Sequence, residues 1–381
     1  MANKELFLKA FTGEATQWPP AWEQAFASDV ASQILGRPAY TGAVILHYQE
    51  AVAATNGEAA YQEFLDQVDE DQFALARALG WSAIRYPWLR GKPSRRLDEY
   101  TFLYGDEDDW VTYRYDPAAC TYGPVAYAKP PVWQSEKEIA RKVEDVWCLA
   151  EHWDVEHRPD FRARLERWQQ LAGDEFELVA GAAGMAVPLN EEWMIACAFV
   201  PNLVAEYLDA QVAVGLKQLD VLGELGIKVA NGGGDLASKN GPLYGPKFFH
   251  DIVMPRYRRY VDHARSLGIY YMFRSDGNLW SIADMLFGPE GAACPGFGEI
   301  DYDSGMYIPD LQARYPTLTC FGNVPCPLLH DGSEQEVRAF VRDLKERCLP
   351  HGRWILSSAN TVLSGTPVGN VMAMLEEGGV L

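Results

Sequence analysis

Apolar residues along this chain switch repeatedly between two spacings. Tyr61, Phe64, Leu65 and Val68 fall at i, i+3, i+4 and i+7, which gathers them on one face and predicts a helix. The same spacing puts residues 204, 208, 212, 216 and 219 on one face of a long helix over 203–225. Ser333-Glu334-Gln335-Glu336 has the form of a capping box, and it opens a helix with Val337, Phe340, Val341 and Leu344 inward. Further helices are expected over 246–267, with a kink at Pro255, over 279–287, and from Pro367 to the end. Between the helices lie short apolar or aromatic runs: 43–47, 81–86, 177–182, 227–230, 269–273, 298–300, 317–321 and 354–357. Strands that alternate with helices pair in parallel. Eight such runs predict an α/β fold of the (β/α)8 TIM-barrel kind, a single domain over 1–381.

Two stretches break the rhythm. Residues 1–40 read as an N-terminal helical extension around Trp18-Pro19-Pro20, with Trp18 and Trp22 placed to pack on the body. Residues 100–131 alternate on either side of an acidic run, Asp106-Glu107-Asp108-Asp109, and read as a β-hairpin insertion with a solvated turn. A doubly wound sheet is the rival architecture, but no G-x-G-x-x-G follows the first strand. The glycines at 232–234 lack that spacing.

Composition narrows the function. The 381 residues carry a formal charge of −20, which repels phosphate and excludes a general nucleic-acid binder. No apolar run approaches the roughly 20 residues of a membrane span, and the N-terminus lacks a secretory layout, so a cytoplasmic protein is expected. The seven cysteines form no C-x-x-C pair and read as reduced, isolated thiols. G-x-S-x-G and H-E-x-x-H are both absent, and no metal site is expected.

In a barrel the chemistry gathers where the strands end. Polar residues at or just past the ends of the expected strands are His47, Arg85, Asn231 with Asp235, Arg274 with Asp276 and Asn278, Glu299, Asn323 and Asn360. Asp235 and Asp276 are the candidate catalytic groups. His47, Arg85, Asn231, Arg274, Asn278, Asn323 and Asn360 are the candidate substrate-binding groups. Glu299 reads more simply as a helix-capping acid.

Gly-Gly-Asp235-Leu-Ala-Ser-Lys-Asn-Gly-Pro-Leu-Tyr-Gly-Pro246-Lys-Phe-Phe resembles the segment after the fourth barrel strand in the uroporphyrinogen decarboxylase superfamily. Arg274-Ser-Asp-Gly-Asn278 resembles its next motif, His-x-Cys-Gly or His-Ser-Asp-Gly-Asn. Phe321-Gly-Asn-Val324, Ser357-Ser-Ala-Asn-Thr361 and Thr366-Pro367-x-x-Asn370 resemble its last two strand ends. The likeness runs from about residue 40 to residue 375, is strongest in the C-terminal half, and implies the same (β/α)8 barrel.

Within that superfamily the true decarboxylases resemble one another in an early Arg-Gln-Ala-Gly-Arg segment that holds propionates; after the expected first strand this chain has Leu46-His47-Tyr48-Gln49-Glu50. The family's late His aligns with Asn360. The zinc-dependent thiol methyltransferases use His-x-Cys and a later Cys, and here those positions hold Arg274, Asp276 and Ser357 or Ser358. The Ser-Asp-Gly-Asn branch resembles methyltransferases that link a methylcorrinoid protein to tetrahydrofolate without zinc, although Arg274 replaces the usual His. The resemblance therefore implies methyl transfer in corrinoid-linked one-carbon metabolism. Its partners would be a corrinoid (cobalamin) protein and tetrahydrofolate, with no tightly bound cofactor. A decarboxylase of a tetrapyrrole polycarboxylate and a non-catalytic tetrapyrrole- or corrinoid-binding barrel are the alternatives.

Overall fold

The computed structural model describes residues 4–381, without the side chain of Ala43. Seven parallel strands follow one another in chain order around a curled sheet. They are β1 (Ala83–Ile84), β2 (Glu177–Gly184), β3 (Val229–Gly233), β4 (Tyr270–Arg274), β5 (Gly296–Gly298), β6 (Thr319–Val324) and β7 (Trp354–Ser358). Their nearly uninterrupted burial is what a parallel sheet covered on both faces requires.

The eighth stave is residues 20–22, inside the expected N-terminal extension. The Leu356 amide donates to the Pro20 carbonyl at 2.8 Å, and the Trp22 amide donates to the Leu356 carbonyl at 3.1 Å. On the other side the Ser82 amide donates to the Ala21 carbonyl at 2.8 Å. This short segment thus joins β7 to the start of β1 and closes the ring.

The first helix, α1 (Lys4–Thr12), covers the N-terminal end of the barrel. Phe11 stacks on Tyr270 at 4.7 Å, and the Thr319 hydroxyl donates to the Ala10 carbonyl at 2.8 Å. Above them Trp22 meets Phe7 at 6.0 Å and Phe321 at 5.2 Å. Gly298 makes this filling possible, because a Cβ there would lie 1.3 Å from the Phe321 ring. One end of the barrel is therefore sealed by aromatic rings, and polar groups are left to the other.

Three expectations are corrected. Residues 43–47 are not a strand but the start of α2 (Ala43–Thr55), whose Leu46 packs on Phe64 and Val68 of α3 (Glu58–Ala78). The insertion is more than a hairpin. It is a four-stranded antiparallel sheet of Arg95–Arg96, Thr101–Gly105, Trp110–Asp116 and Thr121–Tyr127. Its acidic turn is solvated as expected, with the Asp108 and Asp109 amides donating to Asp106. In the helical stretch after β3 the irregularity is a π-helical turn at Phe249–Val253, and Pro255 sits harmlessly in the first turn beyond it.

The outer layer holds α4 (Glu136–Glu156), α5 (Arg158–Ala172) and α6 (Pro201–Leu225) over β1 to β3. Later come α7 (Met254–Ser266), α8 (Glu334–Cys348) and α9 (Val368–Gly378). The capping box at Ser333 forms with both of its hydrogen bonds. All seven cysteines are free, and Cys294, Cys320 and Cys348 are buried as small core residues. No helix among the described residues is long and apolar enough to cross a membrane.

Candidate active site

The C-terminal ends of the strands bring three carboxylates together. Oxygen atoms of Asp235, Asp276 and Glu299 lie within 4.8 Å of one another. Backbone geometry fixes this approach. Gly233 has φ +108°, and a Cβ there would lie 2.3 Å from the Arg274 carbonyl oxygen, so only glycine lets β3 close on β4. The Gly234 amide then donates to the Arg274 carbonyl at 3.1 Å, and the Leu236 amide donates to the buried Ser275 hydroxyl at 3.0 Å. These two bonds hold Asp235 beside Asp276.

Asp276 titrates well above the ordinary aspartate range. Burial first, and then the charge of Glu299, push its pKa up to about 6, against the Asn360 hydrogen bond that lowers it. The Asn360 amide nitrogen lies 2.8 Å from both Asp276 oxygens. Asn360 therefore orients the carboxylate and favours its charged form.

Glu299, expected only as a capping acid, sits in the middle of the site. It is 4 % exposed, and its φ of +58° is a left-handed conformation rare outside glycine. That turn aims its carboxylate at the Arg274 guanidinium, 3.3 Å away, and at the Gln24 amide, which donates to it. Strained non-glycine backbone is concentrated where a side chain must be aimed.

Glu23 and Gln24, just beyond the eighth stave, are site groups that the strand-end reading misses altogether. Glu23 accepts from the Ser358 amide at 2.7 Å and from the Ser357 and Ser358 hydroxyls at 3.0 and 2.6 Å. Burial nevertheless pushes its pKa up to about 7. A signal is present in the chain. With the first stave at 20–22, Glu23 and Gln24 are the polar residues that directly follow it, as polar residues follow the other strands.

The other predicted groups divide. Arg85 and Asn231 face one cavity of about 510 Å³ that also reaches Arg274. Arg85 forms no hydrogen bond or ion pair among the described residues, and both polar atoms of the Asn231 amide are buried without a partner. Asn323 uses its amide nitrogen on the Met306 carbonyl, which leaves its oxygen free and buried. Asn278 is a loop staple: its nitrogen donates to the Ser304 carbonyl and its oxygen accepts from the Trp280 amide. His47, on α2 rather than at a strand end, packs edge-on against Trp88 and reaches its carbonyl at 3.1 Å. Burial lowers its pKa to about 4.

Chemically, the mouth offers clustered acceptors at Asp235 and Asp276, a compensated arginine at Arg274, and an uncompensated one at Arg85. Three carboxylates at this spacing also match the oxygen ligands of a hard divalent cation, with Arg274 supplying local positive charge at Glu299.

A family model described as uroporphyrinogen decarboxylase (URO-D) matches residues 179–378. A solved methyltransferase from Methanosarcina mazei superposes with a TM-score of 0.66 at 15% identity, covering 100% of this chain and 99% of that one. This likeness confirms the barrel fold. A D-psicose 3-epimerase structure with D-tagatose from Clostridium cellulolyticum H10 reaches a TM-score of 0.38 at 12% identity. It covers 66% of this chain and 92% of its own. No curated protein matches the chain in sequence.

Proposed function

The chain belongs to the uroporphyrinogen decarboxylase family, and from that premise we propose that it is a zinc-independent methyltransferase of corrinoid-linked one-carbon metabolism. Its substrates on this reading are a methylcorrinoid, carried by a partner protein, and a tetrahydrofolate-like pterin.

The observation that supports this reading is the carboxylate cluster at the mouth. Asp235, Asp276 and Glu299 stand within 4.8 Å, and of the two arginines nearby Arg274 is already answered by Glu299. Such a mouth repels the many carboxylates of a uroporphyrinogen, whose decarboxylation calls for a cationic cleft. It attracts a flat ring rich in N–H donors. A pterin presents a ring N–H beside an amino group, which one carboxylate can accept together.

Asp276 and Asp235 are the acceptors in this scheme. The N5 lone pair of the pterin forms the new C–N bond while the Co–C bond breaks and leaves its electron pair on cobalt. The N5 proton then departs, and a carboxylate with pKa about 6 is suited to receive it near neutral pH. Asn360 keeps that carboxylate in place. Arg274, which cannot shuttle protons at this pH, serves as a fixed charge.

The test is an anaerobic spectrum of methylcob(III)alamin with the protein, with and without tetrahydrofolate. Conversion to cob(I)alamin that depends on tetrahydrofolate supports the proposal. Lack of transfer even from a cognate corrinoid protein, together with turnover of a porphyrinogen, overturns it in favour of a decarboxylase. Ligand binding without any turnover would leave a binding barrel.

A further inference from the structure

We propose that the cavity between β1, β2, β3 and helices α4 and α6 is a carboxylate-binding subsite, in which Arg85 and Asn231 receive one carboxylate of the ligand. The inference goes beyond the methyl-transfer reading and stands without it, because it rests on groups that reading leaves idle.

Arg85 leaves the end of β1 and lies over Gly181 of β2. A Cβ on Gly181 would be 3.6 Å from its Nη2, in ordinary contact, so the guanidinium lies directly over this residue. Gly181 pairs in register with Asn231 of β3, which puts the Asn231 amide on the same face of the sheet as Arg85. Asn231 is 3 % exposed, and neither its nitrogen nor its oxygen has a partner. The Arg85 Nε is likewise buried and unpartnered. A buried amide left without hydrogen bonds is costly, and an unpaired buried charge more so. Two such groups facing one cavity of about 510 Å³ leave hydrogen-bonding capacity there for a ligand's acceptor.

The charge of that acceptor is set by its neighbours. Burial, and then repulsion from Arg274, lower the Arg85 pKa to about 10, and the weaker attraction of Glu299 only partly opposes them. Glu299 is occupied by Arg274 and Gln24, leaving roughly one positive charge to satisfy. A carboxylate supplies one negative charge in a plane that matches the guanidinium fork. A phosphate dianion would overshoot and meet repulsion from Asp235, Asp276 and Glu299. The ligand is therefore a monocarboxylate, and because Arg274 on the cavity wall has Glu299 and Asp235 beside it, a cationic nitrogen close to the anion is favoured on that side.

Isothermal titration of the full-length protein with acetate, glycine and inorganic phosphate tests this. Acetate is expected to bind saturably, glycine more tightly through its ammonium, and phosphate not at all. Arg85→Gln should weaken both carboxylates about ten-fold or more, and Asn231→Leu should weaken them less. Arg85 makes no bond that folding depends on and its unpaired charge is costly, so a melting temperature at or above that of the wild type is expected for that variant. Absence of saturable carboxylate binding, binding unchanged in Arg85→Gln, or phosphate binding as strong as acetate would each overturn the proposal. No cobalamin enters these titrations, so the subsite and the methyl-transfer reading fail separately.

Discussion

Asn360 reaches across the barrel mouth to Asp276, its side-chain nitrogen 2.8 Å from each carboxylate oxygen. The two residues come from the ends of β7 and β4, so the contact ties the last strand to the middle of the sheet. It also sets a titration, because a donor stabilises the charged carboxylate. In Asn360→Ala the Asp276 pKa should rise above its present value of about 6. If Asp276 must be ionised to accept the proton, rate climbs with pH through that value, and the variant's climb moves to higher pH by about one unit. A pH–rate profile of both proteins checks this. An unmoved limb would remove Asp276 from the proton path.

Glu23 makes a separate prediction about stability. Its folded pKa of about 7 exceeds the ordinary 4.5, so between those values the folded state holds the proton more tightly than the unfolded one. Stability is then greatest below pH 4.5 as far as this group is concerned, and it is lost as pH rises through about 7. The full swing is on the order of 3 kcal/mol. Glu23→Gln keeps an acceptor for the Ser358 amide and cannot ionise. Denaturant melts across this pH range should slope less for the variant than for the wild type, the raised Asp276 accounting for part of what remains, with the variant the more stable at the alkaline end.

Much of the C-terminal half was legible because β3, β4, β6 and β7 are short apolar runs that end in polar clusters. The capping box at Ser333 fixed the start of α8 in the same way. The first half was harder. The run at 43–47 contains Val44, Ile45 and Leu46 in succession, and a run that short does not distinguish strand from helix. The true eighth stave includes Pro20, which has no amide to donate, and it makes single bridges instead of a ladder. No apolar period marks it. Among site groups, Asp235, Asp276 and Asn360 were visible because they directly follow strands. Glu299 also does so, but only its left-handed backbone turns it inward, and a sequence gives no warning of that for a residue other than glycine.

Closure of the ring by that stave can be measured through Trp22. The indole is 1 % exposed and lies between Phe7 and Phe321. Trp22→Ala removes the largest side chain joining α1, the stave and β6, and should cost about 3–5 kcal/mol in chemical denaturation. A loss within experimental scatter would mean that the seven-stranded sheet stands without its eighth member.

Glu299→Gln separates the two halves of the mouth, because one substitution should move two readouts in different ways. Repulsion from Glu299 is, after burial, the larger of the influences that raise the Asp276 pKa. Removing that charge lets the pKa fall from about 6 toward the ordinary aspartate value, and the rising limb of the pH–rate profile moves to lower pH. The same change strips Arg274 of its carboxylate partner, so two unanswered arginines then face the cavity. Affinity for acetate should rise, and phosphate should begin to bind. Glutamine retains the shape and can still accept from Gln24, which limits the loss of packing. A pH limb that moves without a gain in anion affinity would show that Arg274 points away from the cavity in solution. A gain in anion affinity with the limb fixed would show that the carboxylate whose ionisation governs the rate is not Asp276.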